Sequence, residues 1–167
     1  VRRPFLNIAI VAAGVGIVAF LLFDVKHIVG SSMEPTLHDG ETVIVHRWHY
    51  GIRLPGAHEY VLKWRTVSRG DLVLLHHSLT DAGIVKRCAA TGGTAYRLED
   101  NVFFIDNRRY RLSPKAAREL KNSRRIPEGK LFVIGDNPRV SYDSRNYGII
   151  DFDSIVGKVV YPNSIQE

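Results

Sequence analysis

A chain of 167 residues with 45% hydrophobic and 24% charged residues has the make-up of a folded protein, which excludes a disordered or low-complexity one. Its single cysteine, Cys88, excludes an internal disulfide. The net charge of +6 suits an anionic membrane surface or a nucleic acid. Arg108, Arg109, Arg111, Arg118, Arg124 and Arg125 come without a helix-turn-helix, zinc-finger or aromatic RNA-binding signature. They are therefore read as a solvated or lipid-facing surface, and no nucleic-acid partner is expected.

The first element is Phe5–Phe23, FLNIAIVAAGVGIVAFLLF, in which Asn7 is the one clearly polar residue. As a helix it spans just under about 30 Å, one hydrocarbon core. Arg2 and Arg3 precede it, which puts the N-terminus in the cytoplasm and the rest of the chain outside. A cleaved export signal would have a shorter apolar run ending in small residues, whereas Leu21-Leu22-Phe23-Asp24-Val25-Lys26 follows here. A buried core helix would show a polar face. The chain thus divides into a single-pass anchor, residues 1–26, and an extracytoplasmic domain, residues 27–167, on a plasma (inner) membrane.

Past Lys26 the pattern turns to short runs rich in β-branched residues: Glu41–Val45, Asp71–His76, Gly83–Cys88, Asn101–Ile105, Lys130–Ile134 and Ser154–Tyr161. Turn residues punctuate them, among them Gly40, Pro55-Gly56, Gly70-Asp71, Gly92-Gly93 and Asp106-Asn107. Many short strands at this spacing predict an all-β domain of folded-over sheets. Ser113–Lys121 predicts a short surface helix, with Ser113 as cap and Pro114 at its first position. Trp48–Trp64 is aromatic without a period and suits either a loop at the lipid interface or core packing.

Three segments carry chemistry. In Gly30–Leu37, GSSMEPTL, Ser32 sits among small residues that leave backbone room around an exposed hydroxyl, and Pro35 stiffens the turn. In Gly83–Cys88, GIVKRC, strand alternation puts Ile84, Lys86 and Cys88 on one face and Val85 and Arg87 on the other. A lysine buried there loses its proton more readily, and a neutral amine can take one from a serine hydroxyl. Gly135–Gly148, GDNPRVSYDSRNYG, gathers Asp136, Asn137, Ser141, Asp143, Ser144 and Arg145 into one polar turn. Asp143 and Arg145, two apart, share a side in extended chain. The seven histidines form no HExxH helix, and His76 and His77 point to opposite faces. With no P-loop and no Gly-rich dinucleotide turn either, neither metal nor cofactor is expected. Spacing alone leaves a Ser/Lys and a Ser/His mechanism open.

In this order the three segments resemble the boxes of the signal peptidase I family. GSSMEPTL is similar to its serine box, VKRCAATGG to its lysine box, and GDNPRVSYDSRNYG to its GDNxxxSxDSRxxG box. The likeness runs from the anchor to about Val160. It implies a mainly β fold, a folded-over antiparallel β-sheet catalytic domain with one N-terminal transmembrane helix. It also implies a membrane-bound serine endopeptidase that removes signal peptides from exported preproteins through a Ser/Lys dyad. By the same resemblance Ser32 is the nucleophile and Lys86 the general base, then the acid. Ser141 hydrogen-bonds and orients the lysine, Asp143 and Arg145 form a supporting ion pair, and Asp136 lies nearby. The Ser32 backbone N–H serves the oxyanion. Some members add a hydroxyl two residues before the nucleophile; that position is Gly30 here, which leaves Ser31 or a backbone group. Substrates of the family carry small residues at the first and third positions before the cut. Ile28, Met33, Leu37, Ile84 and Val85, by adjacency to the boxes, are the expected pocket residues. Only 48 residues separate Lys86 from Gly135, so the large inserted domain of some members is absent. Two alternatives stand beside this reading. One is a specialised conjugation, pilus-maturation or organelle inner-membrane peptidase of the same family. The other is a non-enzymatic anchored β domain that binds anionic lipid or a partner protein.

Overall fold

In a computed structural model the described residues are 4–161, except 55, 58 and 77–82. Arg2, Arg3, Pro55 and His77, which carry sequence expectations above, lie outside them. The strands in chain order are β1 (Phe23–His27), β2 (Thr42–His46), β3 (Gly51–Ile52), β4 (Leu62–Lys63), β5 (Leu72–Leu75) and β6 (Ile84–Thr91). Then follow β7 (Arg97–Glu99), β8 (Val102–Ile105), β9 (Arg108–Arg111), β10 (Lys130–Ile134), β11 (Ile150–Asp151) and β12 (Ile155–Tyr161). The helices are α1 (Pro4–Leu22), α2 (Pro114–Leu120) and α3 (Ser144–Tyr147). The fold is mainly antiparallel β: a seven-stranded sheet in the order β1-β2-β12-β5-β6-β10-β11, a β3–β4 ribbon and a three-stranded β7-β8-β9 sheet.

All six expected strands form. The Asp100-Asn101 turn that joins β7 to β8 has both residues at positive φ, +47° and +60°, the conformation that matches strand twist in a two-residue hairpin and that Asp and Asn tolerate. Ser113 caps α2 as expected, its Oγ accepting from the Ala116 N–H at 3.1 Å. Ala116, Ala117 and Leu120 bury that helix against Phe103, Ile126 and Phe132.

A helix also forms where the anchor was expected, and its described side chains from Asn7 to Leu21 are exposed. Among the described residues, however, no helix is long and apolar enough to cross a membrane. The last residues of the expected anchor, from Phe23, are strand rather than helix. Phe23–His27 pairs in register with β2, from Phe23 opposite His46 to His27 opposite Thr42. The reason lies in the alternation: Phe23 and Val25 face out, while Asp24 turns inward to ion pairs with Lys26 and Arg47 at 3.3 and 2.8 Å. The helix runs into this strand without a linker, and the Arg47 N–H donates to the Leu22 carbonyl at 2.8 Å.

Trp48–Trp64 is packed into the core in part. Tyr50 and Tyr60 enter the core, with Tyr60 and Tyr50 rings against Phe152. Trp64, Leu54, Val61 and Leu62 remain exposed.

Candidate active site

Ser32 lies in the connection between β1 and β2, and the residues after it pin it to the sheet. Met33 and Leu37 sink into a cluster with Val43, Val45, Leu72, Leu74 and Val85, at 1% and 0% exposure. Burying such side chains stabilises by roughly 1.5–3 kcal/mol each, so the short turn has little freedom to lift away. Upstream, Gly30 adopts φ +87° and donates its N–H to Asp39 at 2.8 Å; that backbone region favours glycine.

Lys86 stands on β6 opposite Val73 of β5 and is 2% exposed. Its Nζ donates to Ser32 Oγ at 3.0 Å. Burial lowers the lysine's pKa, because a desolvated ammonium is costly. The Asp143 carboxylate works against that shift and Arg145 works with it, with the net result below the ordinary value. The alternation read from sequence holds: Val85 packs among Leu72 and Leu74, while Cys88 packs with Val73.

The third segment braces this pair from the end of β10. Asp143 is fully buried and accepts from Ser141 Oγ at 2.6 Å, the Gly135 N–H at 2.8 Å and Arg145 Nε at 2.8 Å. Burial alone would raise its pKa, but Arg145, Ser141 and the backbone donors win and hold it below the ordinary value. Asp143 also caps α3 in a reciprocal capping box with Asn146. The expected Asp143–Arg145 pair is therefore present. Ser141 gives its hydroxyl proton to Asp143, the acceptor two residues away on the same turn, and makes no hydrogen bond with Lys86 among the described residues.

Gly135 keeps the two halves close. A Cβ there would meet Ser141 Oγ at 2.2 Å and the Ser32 carbonyl oxygen at 2.5 Å, well inside contact distance. Gly135→Ala is expected to push the serine turn off the lysine and to lower activity about 100-fold, the usual effect of an ångström-scale misplacement. Steady-state kinetics on the purified variant check this, and undiminished kcat would contradict it.

Asp136 does not join the Asp143–Arg145 pair. It faces Arg87, with Nε at 2.8 Å and Nη2 at 2.6 Å, and accepts from Thr36 Oγ1 at 2.6 Å. This ties the serine turn, β6 and the third segment together. Sequence reasoning missed Arg87 and Thr36, although Arg87 directly follows the key lysine and Thr36 lies within the serine box. Asn137, placed in the polar turn by sequence but given no partner there, donates its N–H to the Ser32 carbonyl at 3.0 Å and its Nδ2 to the Ser31 carbonyl at 3.1 Å.

Residues 2–163 match the family model described as signal peptidase, peptidase S26. The chain belongs to the signal peptidase family. It is 30% identical over 150 residues to signal peptidase I of Bacillus licheniformis, covering 81% of this chain and 74% of that protein. It is 32% identical over 152 residues to signal peptidase IB of Staphylococcus aureus, covering 79% and 73%. Among solved structures, that of a signal peptidase I from Enterococcus faecalis aligns with a TM-score of 0.39 and 22% identity, covering 56% of this chain and 97% of that one.

In this signal peptidase the residues expected to line the substrate pockets lie mostly in the core. Ile28, Met33, Leu37 and Val85 are buried side chains packed in one cluster beside the serine turn. Ile84 alone of the five is half-buried and keeps accessible surface. The Gly30 N–H, at the position where a second oxyanion donor was sought, is given to Asp39. The Ser32 N–H, by contrast, has no hydrogen-bond acceptor among the described residues. A cleft of about 930 Å³ lined by Arg47, Trp48, Arg53, Leu54 and Val156 includes neither Ser32 nor Lys86 and has no part in this chemistry.

Proposed function

We propose that this signal peptidase I cleaves exported preproteins by a Ser/Lys mechanism, with Ser32 as nucleophile and Lys86 as general base. The observation that carries the reading is the 3.0 Å contact between Ser32 Oγ and the Nζ of a lysine that is 2% exposed. With the amine neutral, Nζ takes the hydroxyl proton as Oγ attacks the scissile carbonyl. The Ser32 N–H faces the developing oxyanion. On collapse, the Lys86 ammonium returns the proton to the leaving amine. The freed amine then activates water against the acyl-enzyme. Asp143 and Arg145 hold the surrounding turn, and the Asp143 charge keeps the lysine basic enough to accept a proton. Small residues before the cut fit a site whose floor is closed by packed Met33, Leu37 and Val85.

The same reading takes α1 as the membrane anchor, with the N-terminus cytoplasmic and the domain from Phe23 onward outside. Its support is that the described side chains from Asn7 to Leu21 of this apolar helix are exposed. Retention of the full chain in the membrane pellet after alkaline carbonate extraction is expected; release would count against it.

The test of the mechanism is the pH dependence. Because burial lowers the lysine's pKa, kcat/KM should rise tenfold per pH unit below that lowered value and level off above it. The rising limb should end at a pH below the ~10.4 of a free lysine. A profile flat from acid to alkaline pH would exclude a lysine base.

A further inference from the structure

We infer that Asn137 is the positioning residue for the oxyanion donor, acting through the Ser31–Ser32 peptide plane. The inference rests on the Ser32/Lys86 reading and adds to it a residue with no part in the proton transfer.

The Ser31 carbonyl and the Ser32 N–H belong to one trans peptide, so they point in opposite directions, and fixing one fixes the other. The Ser31 carbonyl accepts from the Glu34 N–H of its own turn at 3.2 Å and from Asn137 Nδ2 at 3.1 Å, and among the described residues Asn137 is the tie that comes from outside the serine turn, across 106 positions of sequence. On the far side of Ser32, the Asn137 backbone N–H donates to the Ser32 carbonyl at 3.0 Å. One residue therefore grips the carbonyls of both peptides that flank the nucleophile's α-carbon. The side-chain amide is itself oriented, since its Oδ1 accepts from the Arg139 N–H at 3.3 Å, which leaves Nδ2 as the donor.

The result is a peptide with its acceptor end engaged and its donor end open. The Ser32 N–H has no acceptor among the described residues. Gly30, the position where a second donor was sought, spends its N–H on Asp39. The Ser32 N–H therefore carries a large share of the oxyanion's stabilisation, and its aim matters correspondingly. A hydrogen bond accepted by the Ser31 carbonyl also polarises the shared peptide and strengthens its N–H as a donor. Both effects favour the charged tetrahedral state over the neutral substrate, which is where preorganised donors act.

The experiment compares wild type, Asn137→Ala, Asn137→Asp and Ser32→Ala in the full chain, on a signal-peptide substrate. The Asp variant matches Asn in size but cannot donate to the Ser31 carbonyl. Both Asn137 variants should lose about 100-fold in kcat, the effect of losing one oxyanion donor, with KM changed less than about threefold. The limb of the pH profile should not move, because Lys86 is untouched. Affinity for a peptide boronic acid, which forms a tetrahedral anion on the serine, should fall in parallel with kcat. Affinity for the cleaved product peptide should stay. Unchanged kcat, a rise in KM alone, or a fall in kcat with boronate affinity retained would each overturn the inference. So would urea unfolding midpoints that collapse in both variants, which would make Asn137 a residue of the fold. Activity in Ser32→Ala would instead bring down the underlying mechanism, so the two failures are distinguishable.

Discussion

Ser32→Ala and Lys86→Met are each expected to lower preprotein cleavage by on the order of 10⁴-fold, with the domain still folded. The two groups act as one unit: the hydroxyl is inert until the amine takes its proton, so removing either removes nearly the whole effect. The double variant should therefore be hardly worse than either single one. Met is the informative replacement at residue 86, because it keeps the length of the side chain and discards the amine. It should also alter stability in a defined direction. The folded chain holds Lys86 below its ordinary pKa, so between that value and the unfolded value the unfolded chain binds one more proton. In that window wild-type stability rises with pH, and below it the cost of burying the charge is felt in full. Lys86→Met should remove this dependence and raise the urea midpoint at neutral pH, even as activity vanishes. A midpoint that falls sharply at pH 7 would mean that the amine is held by favourable contacts rather than by burial.

The second large effect is expected on stability. Asp143→Ala should destabilise the domain by about 3 kcal/mol, since it leaves the part-buried Arg145 guanidinium without its counter-charge. It also strips acceptors from Ser141 and from the Gly135 N–H, and removes the cap of α3. Asp143→Asn should cost less, because it keeps the shape and part of the hydrogen bonding. The pH behaviour follows the same residue. Its folded pKa is depressed, so its contribution is present above the unfolded value of about 3.9 and is lost as pH falls through the folded one. Urea melts from pH 7 down to acid should show wild type losing this increment while Asp143→Ala has none to lose. Parallel curves for the two proteins would refute the assignment.

The parts of this site that could be read from the residues are those whose chemistry is unusual for their setting. A lysine between valine and arginine in an apolar strand, and a serine among small residues before Met-x-Pro, stand out locally. The ion pair of Asp143 with Arg145 is local too, two positions apart. Partners that meet only in the folded chain stayed hidden: Asp136 with Arg87 across 49 positions, and Asn137 with Ser31 across 106. The burial of the expected pocket residues was hidden for a related reason. Nearness in sequence to a nucleophile says nothing about which way a side chain turns, and in this turn the large apolar ones are what fasten it to the sheet. The fold itself was legible because β-branched runs and turn residues alternate so regularly. The exception was Phe23–His27. There the two-residue period was present, but its apolar members face outward and prolong the hydrophobic run before them.

That junction has a mechanical consequence. With Leu22 passing straight into Phe23 and its carbonyl accepting from the Arg47 N–H, no linker residue separates the helix from the sheet. On the anchor reading, the height of the reactive serine above the lipid is then a set length. Such an enzyme gauges its target by depth as well as by side chain, and two or three flexible residues spliced in at the joint would blur the gauge without touching a single catalytic atom.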